Sequence, residues 1–228
     1  MEHNVYGRAL SAGEIAAGAH RDFVGGMWDE VGALQFNFLM AAGLAPGHRL
    51  LDMGCGALRG GVHFVRYLHA GHYCGMDINA SLLEAGRREL EAAGLTDKAP
   101  HLLADDTFAA HRFGQCFDAA VAVSLFTHLP LNHIIRCLVE VGRVLAPGAR
   151  FHASYFEAPG PAWLQPLPHT PGDIVTNFDA DPYHYALTEM EWAAGQAGMQ
   201  VQPGAAWAHP RDQRMLAFTR REDASVAR

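Results

Sequence analysis

Three acidic positions recur along the first half of the chain, and their spacing is that of a nucleoside site. Asp52 closes the apolar run "RLLDMG" and leads into "GCGALRGG", where Gly54 and Gly56 flank Cys55 and Arg59 precedes Gly60 and Gly61. Glycines permit tight turns and leave no side chain between backbone and ligand. Asp77 ends "YCGMDI", and an acid about 20 residues beyond a glycine loop can accept from two ribose hydroxyls. Asp105 and Asp106 end "HLLADD", where either can accept from an exocyclic amine such as that of adenine. Among the 14 histidines, two stand where a base would be useful. His128 lies in "SLFTHLP", and His184 lies between Tyr183 and Tyr185 in "DPYHYA". Histidine is the side chain whose ordinary pKa suits proton transfer near neutrality. No H-x-x-x-H or H-E-x-x-H spacing occurs, so no metal is expected.

The elements around these residues must bring them to one place. "RLLDMG", "YCGMDI", "HLLAD", "FDAAVAVS" and "ARFHASYFE" read as short apolar strands. "GVHFVRYLHA", "ASLLEAGRRELEAAG" and "LNHIIRCLVEVGRVLAPG" read as the helices between them. This alternation predicts an α/β fold with a doubly wound, Rossmann-like, mainly parallel sheet and helices on both faces. Ligands of such sheets bind at the carboxyl ends of the strands, which is where the acids fall. Residues 14 to 43 read as one or two helices broken at Gly25-Gly26, with Val31, Leu34, Phe38 and Leu39 at helical spacing. "LTEMEWAAGQAGM" is a further helix with Thr188 as its N-cap, and "MQVQPGAAW" and "RMLAFTR" supply two last strands for a total of seven. Residues 1–45 are thus expected to form an N-terminal helical cap, 46–220 the ligand-binding domain and 221–228 a frayed tail. The Pro- and aromatic-rich stretch 156–186 has no clear period, and a long loop of this kind is usually functional.

Composition narrows the classes. A chain of 228 residues with 50% hydrophobic and 18% charged residues can bury one sizeable core. The net charge is −7 and Lys98 is the single lysine, so no basic field favours nucleic acid. The four cysteines form no C-x-x-C pair, which suits a reducing compartment. No signal pattern opens the chain and no apolar run reaches bilayer length, so a cytoplasmic protein without membrane contact is expected.

The glycine loop departs from the dinucleotide fingerprint, because position 59 is Arg where the third Gly belongs. Asp52 is an awkward neighbour for two phosphates but suits a cationic ligand, an ammonium with a sulfonium; S-adenosylmethionine is such a ligand. From about residue 46 to 220 the chain resembles the class I S-adenosylmethionine-dependent methyltransferases. Asp52, Gly54 and Gly56 match the family's D-x-G-x-G loop, Asp77 its ribose acid and Asp105 its adenine contact. "FDAAVAVSLFTHLP" is similar to its fourth strand and following turn, and "VGRVLAPGARF" to its helix, Pro-Gly turn and fifth strand. One departure is the residue at position 58, Leu where the family often has its third glycine. The resemblance implies a cofactor set that also takes in Cys55, Ile78, Asp106 and Ser124, with Arg59 pairing the methionyl carboxylate.

On this resemblance the protein is expected to transfer a methyl group to a small-molecule acceptor by in-line displacement. His184 is then the first candidate base and His128 the second. Trp28 of the N-terminal cap, Tyr155 and Glu157 after the fifth strand, and Tyr183 of the 156–186 stretch are candidate acceptor contacts. Trp163, Phe178 and Tyr185 would add apolar walls. The other readings are methylation of a macromolecule, a non-catalytic S-adenosylmethionine-binding protein, and an NAD-dependent oxidoreductase. Arg59 and Asp52 count against the last.

Overall fold

The computed structural model describes residues 5–160, 164–171 and 173–221. Trp163 and the tail beyond Arg221 lie outside the described residues. Among the described residues, seven α-helices and nine strands follow one another. The helices α1 (Ala12–Ala16), α2 (Ala19–Phe23) and α3 (Trp28–Ala41) precede strand β1 (Leu50–Met53). Then come α4 (Gly61–Tyr67), β2 (Tyr73–Asp77), α5 (Ala80–Ala92), β3 (His101–Ala104) and β4 (Phe117–Ala122). The second half holds α6 (Leu131–Val144), β5 (Leu145–Tyr155), a small hairpin β6 (Leu167–His169) and β7 (Ile174–Thr176), and α7 (Leu187–Gln196). Strands β8 (Met199–Pro203) and β9 (Arg214–Arg220) complete the order.

Seven strands form one sheet in the order β3-β2-β1-β4-β5-β9-β8. Strands β1 to β5 pair in parallel, and β9 runs antiparallel between β5 and β8. The order reverses at β1, so the C-terminal ends of β1 and β4 border a crevice where ligands of such sheets bind. Alternation along the strands divides the core. Leu51, Met53 and Phe151 point to one face, under α6 and α7, whereas Leu50, Tyr73 and Val121 point to the other, under α3, α4 and α5. Helix α6 owes its packing to Ile134, Cys137, Leu138 and Val141, buried at helical spacing. No helix of the described residues is long and apolar enough to cross a membrane.

The N-terminal segment differs in detail from the one or two helices expected. Gly18 takes φ +77° and separates α1 from α2, and Gly25 and Gly26, at φ +95° and +65°, separate α2 from α3. Left-handed backbone of this kind ends a helix, and glycine adopts it without strain. The cap packs inward: Leu10, Ile15 and Val24 join Ala57 of the glycine loop and Leu82 of α5 in a small apolar cluster. The N-cap expected at Thr188 falls instead at Ala186, whose backbone N–H donates to Glu189 Oε2 at 2.7 Å. Thr188 is therefore inside the first turn. The 156–186 stretch contains the β6–β7 hairpin, which pairs only with itself.

Candidate active site

A cavity of about 460 Å³ opens at the C-terminal ends of β1, β2, β3 and β4, within the usual range for small-ligand pockets of roughly 300–1,000 Å³. It brings together Asp52, Gly54, Cys55, Gly56, Arg59, Asp77, Ile78, Asp105, Asp106 and Ser124 from the cofactor set, with His128 and Tyr183 on its other side.

The glycine loop forms its floor. Gly54 and Gly56 have φ of +70° and +53°, and a Cβ on Gly54 would lie 2.9 Å from Leu125 Cδ1. The N–H groups of Gly54 and Cys55 both donate to the Met76 carbonyl, at 2.8 and 3.1 Å. At position 58 the backbone keeps the left-handed turn (φ +67°) although the residue is leucine. Its side chain is fully buried, and glycines make room for it. A Cβ on Gly86 would lie 2.7 Å from Leu58 Cγ, and one on Gly61 would lie 2.8 Å from Leu58 Cβ. The displaced glycines of the loop are thus partly the counterpart of this leucine.

The acids differ in state. Asp52 is buried and accepts from the Tyr73 hydroxyl at 2.7 Å. Burial pushes its carboxyl up to about 7 against that hydrogen bond, and the neighbouring Asp77 adds to the rise. A buried acid with so little compensation favours a cationic ligand. Asp77 holds the loop, with Oδ2 accepting from Gly56 N–H and Oδ1 from Asn79 N–H, each at 2.8 Å. Burial raises it and those two bonds oppose the rise. Asp105 is engaged by its own loop. Oδ1 accepts from Thr107 N–H (2.7 Å), Thr107 Oγ1 (2.7 Å) and Ala109 N–H (3.1 Å), and Oδ2 pairs with Arg112 Nη1 at 2.7 Å. Against the upward push of burial, these partners hold its carboxyl at about 2. Asp106 is the exposed member of the pair, and Ile78 beside Asp77 offers an apolar surface that is 43% exposed.

Arg59 faces the cavity and donates from Nη1 to the carbonyls of Val24 and Gly26, at 3.1 and 2.9 Å. Arg211 donates from Nη2 to the carbonyl of Gly25 at 3.1 Å. Burial lowers Arg59 to about 10, helped by the charge of Arg211. The two guanidinium groups fasten the Gly25-Gly26 bend of the cap over the loop. Neither forms a salt bridge among the described residues.

The far side is built from the turn after β4 and from the 156–186 stretch. Ser124, at φ +59°, starts this turn, with its N–H donating to Ser154 Oγ at 2.7 Å. Gln213, from the loop before β9, accepts from Ser154 Oγ (2.7 Å) and donates to Ser124 Oγ (3.0 Å). His128 Nδ1 lies 2.5 Å from Asp181 Oδ1, and the Tyr6 ring meets the imidazole edge-on at 4.5 Å. Tyr183 N–H donates to the Thr127 carbonyl at 2.7 Å and the Tyr185 hydroxyl to the Leu129 carbonyl at 2.6 Å, so the stretch is docked on that turn.

Six expected residues, the wall candidates Phe178 and Tyr185 among them, are not brought to the cavity. His184 is fully buried, with Nδ1 2.9 Å from Thr176 Oγ1, which in turn lies 2.9 Å from His169 Nε2. It joins the hairpin to the sheet-side chain and has no face toward the cavity lining. Tyr155 is 1% exposed within the core under α6 and α7. Glu157 opens instead on a second concavity and approaches Arg214 at 3.8 Å. Trp28 starts α3 and packs against His20 and beneath Arg21. Conversely, Tyr6, Gln35, His133 and Asp181 line the cavity without being singled out in the sequence. Asp181 carries one usable signal, an acid beside the "PYHY" run; Tyr6 and Gln35 carry none.

Comparison with known proteins agrees with this geometry. The family model described as a methyltransferase domain matches residues 51–151, from within β1 to within β5. A curated relative, Methyltransferase GfsG of Streptomyces halstedii, is 30% identical over 108 residues, which is 47% of this chain and 37% of that protein. The chain thus spans well under half the length of that relative. Among solved structures, an S-adenosylmethionine-dependent methyltransferase from Clostridium acetobutylicum superposes with a TM-score of 0.67 at 9% identity, covering 92% of this chain and 99% of the other. CalS10, an amino pentose methyltransferase from Micromonospora echinaspora, superposes with a TM-score of 0.61 at 18% identity, covering 93% and 98%. The seven-stranded order, the acid at each of the first three strand ends and the matched segment lead to one assignment: the chain has the fold of the class I S-adenosylmethionine-dependent methyltransferases, and its residues 51–151 match a methyltransferase-domain model.

Proposed function

We propose that the protein binds S-adenosylmethionine in this cavity and transfers its methyl group to a small-molecule acceptor. When bound, the cofactor supplies a methyl group already activated by a sulfonium, so the protein mainly positions the acceptor and excludes water. Asp77 would hold the ribose through the lone pairs its two backbone bonds leave over, with Ile78 and Asp106 against the base. Asp52 would face the amino-acid end, where an ammonium compensates its burial. Arg59 would meet the carboxylate of that end. His128 of the far wall would take the base role expected for a histidine there, and Tyr6, Tyr183 and Leu129 would shape the acceptor space. The naming of one structural relative for an amino pentose supports a small acceptor, as does the absence of a basic tract in the sequence.

The observation that carries this reading is the buried, undercompensated Asp52 beside a backbone-locked Asp77 at one cavity. Calorimetric titration with S-adenosylmethionine, S-adenosylhomocysteine and NAD tests it. Binding of the first two and not of NAD is expected, and Asp77→Ala should weaken S-adenosylhomocysteine by roughly 1.5–3 kcal/mol, the scale of lost charge-assisted hydrogen bonds. Tight NAD binding with no response to S-adenosylhomocysteine would end the proposal. Release of label from methyl-labelled cofactor into metabolite extracts separates an enzyme from a binding protein.

A further inference from the structure

We infer that Asp181 is a positioning residue for His128, and that the pair suits an acceptor hydroxyl, an alcohol or a phenol. The inference rests on the methyltransferase reading above and deepens it.

His128 ends the short helical turn Phe126–His128 after β4, whereas Asp181 belongs to the 156–186 stretch, 53 residues further on. Their side chains are 20% and 23% exposed, so the contact is shielded from water without being sealed from the cavity both residues line. A carboxylate can only accept, so a neutral imidazole 2.5 Å away must carry its proton on Nδ1. That leaves Nε2 as the basic nitrogen. The geometry is secured from outside the pair. Tyr183 N–H is bonded to the Thr127 carbonyl and the Tyr185 hydroxyl to the Leu129 carbonyl, on either side of His128. Asn177 N–H is bonded to the Pro182 carbonyl, which closes the loop that carries Asp181. The stretch that lacks any sequence period therefore delivers one carboxylate to one imidazole.

A base held this way is superfluous for an amine that is already neutral when it attacks. A hydroxyl is different, because its oxygen must lose a proton as it is methylated. The O–H bond breaks with its proton passing to His128 Nε2, and its electron pair stays on oxygen. Oxygen forms the new bond to the methyl carbon, and the carbon–sulfur pair remains on sulfur as a neutral thioether. The imidazolium so formed faces the Asp181 carboxylate, which stabilises it as it appears.

The test has an arm that needs no cofactor. Nitrogen-15 spectra of the ligand-free protein should show His128 as the Nδ1–H tautomer, and Asp181→Asn should shift that population while Asp181→Glu restores it. A wild-type His128 found as the Nε2–H tautomer, or one unmoved in Asp181→Asn, overturns the positioning role even if that variant folds poorly. In the second arm, labelled cofactor is supplied with paired probes: phenol against aniline, and methyl glucoside against its 2-amino counterpart. Hydroxyl probes are expected to be methylated, with kcat falling at least about tenfold in Asp181→Asn and KM changing less than about twofold. Turnover of the amine probes alone, undiminished in Asp181→Asn, overturns the hydroxyl assignment. Failure of the wild type to bind S-adenosylhomocysteine would instead remove the underlying reading and leave the tautomer result standing.

Discussion

At the scale of single residues, Asp52 links the fold to its ligand through a proton. Its carboxyl is pushed up to about 7 in the ligand-free protein, so it is largely neutral below that pH. An ammonium needs the carboxylate, and binding must therefore draw the proton off. Affinity for S-adenosylhomocysteine should fall as pH drops from about 8 to 6, by up to about tenfold, with proton release on binding. 5′-Methylthioadenosine, which lacks the amino-acid end, should show no such slope; calorimetry in two buffers of different ionisation heat reads both. The same shift has a cost in stability. The folded state holds this proton more tightly than the unfolded chain, so Asp52 destabilises the fold above pH 7 and that penalty fades as pH falls toward the ordinary carboxylate range. Asp52→Asn should accordingly raise stability at pH 8 by roughly 1–3 kcal/mol while weakening the ligand. The acids themselves were legible in the sequence because each follows an apolar run and precedes turn residues. The partner of His128 was not, since nothing local joins positions 128 and 181. The place of His184 was hidden for the same reason: flanking tyrosines suggest a pocket, whereas tertiary packing sets the ring against Thr176, away from the cavity lining.

At the scale of elements, the close approach of α3 to the glycine loop decides how the cap sits. A Cβ on Gly32 would lie 2.6 Å from the Arg59 carbonyl oxygen and 3.1 Å from His63 Nε2, so α3 and the loop touch through a glycine. Gly32→Ala should force them apart, lowering stability by about 1–3 kcal/mol as overpacking does and loosening S-adenosylhomocysteine binding with it. Gly13→Ala in α1 is the control, because a Cβ there meets nothing within 4 Å. Denaturant titration of both variants checks the contrast. The parallel strands and their helices were readable from apolar period and glycine punctuation. The subdivision of the N-terminal segment was only half readable: Gly25-Gly26 announces a bend, but Gly18 lies in an alanine-rich run that helical propensity alone would carry through. The β6–β7 hairpin was hidden because three-residue strands give too little alternation to detect.

For the molecule as a whole, two buried histidines set a limit in acid. His152 on β5 and His209 in the loop before β9 are both lowered to about 4, first by burial and then by nearby arginines. A folded-state pKa below the unfolded one makes the fold most stable above about pH 6.5, with that stability lost as pH falls toward 4. Thermal unfolding followed from pH 7.5 to 4.5 should show falling midpoints and net uptake of protons on unfolding. His209→Gln should flatten the decline, and an unchanged slope would assign it to other groups. The seven-stranded order was legible as a class, because alternating helices and strands leave few alternatives. The antiparallel entry of β9 between β5 and β8 was not, since no local signal says where a last strand inserts.

That insertion also orders events in time. The loop before β9 supplies Gln213 to the turn after β4 and Arg211 to the bend of the cap, and Trp207 Nε1 braces it through the Gln213 carbonyl at 2.7 Å. A nascent chain that has left the ribosome only as far as α7 already owns the glycine loop and all the strand-end acids. It lacks the clasp that shuts the cap and the amide that shapes the opposite wall. Ligand capture is thereby expected to wait until β9 and the loop before it have docked.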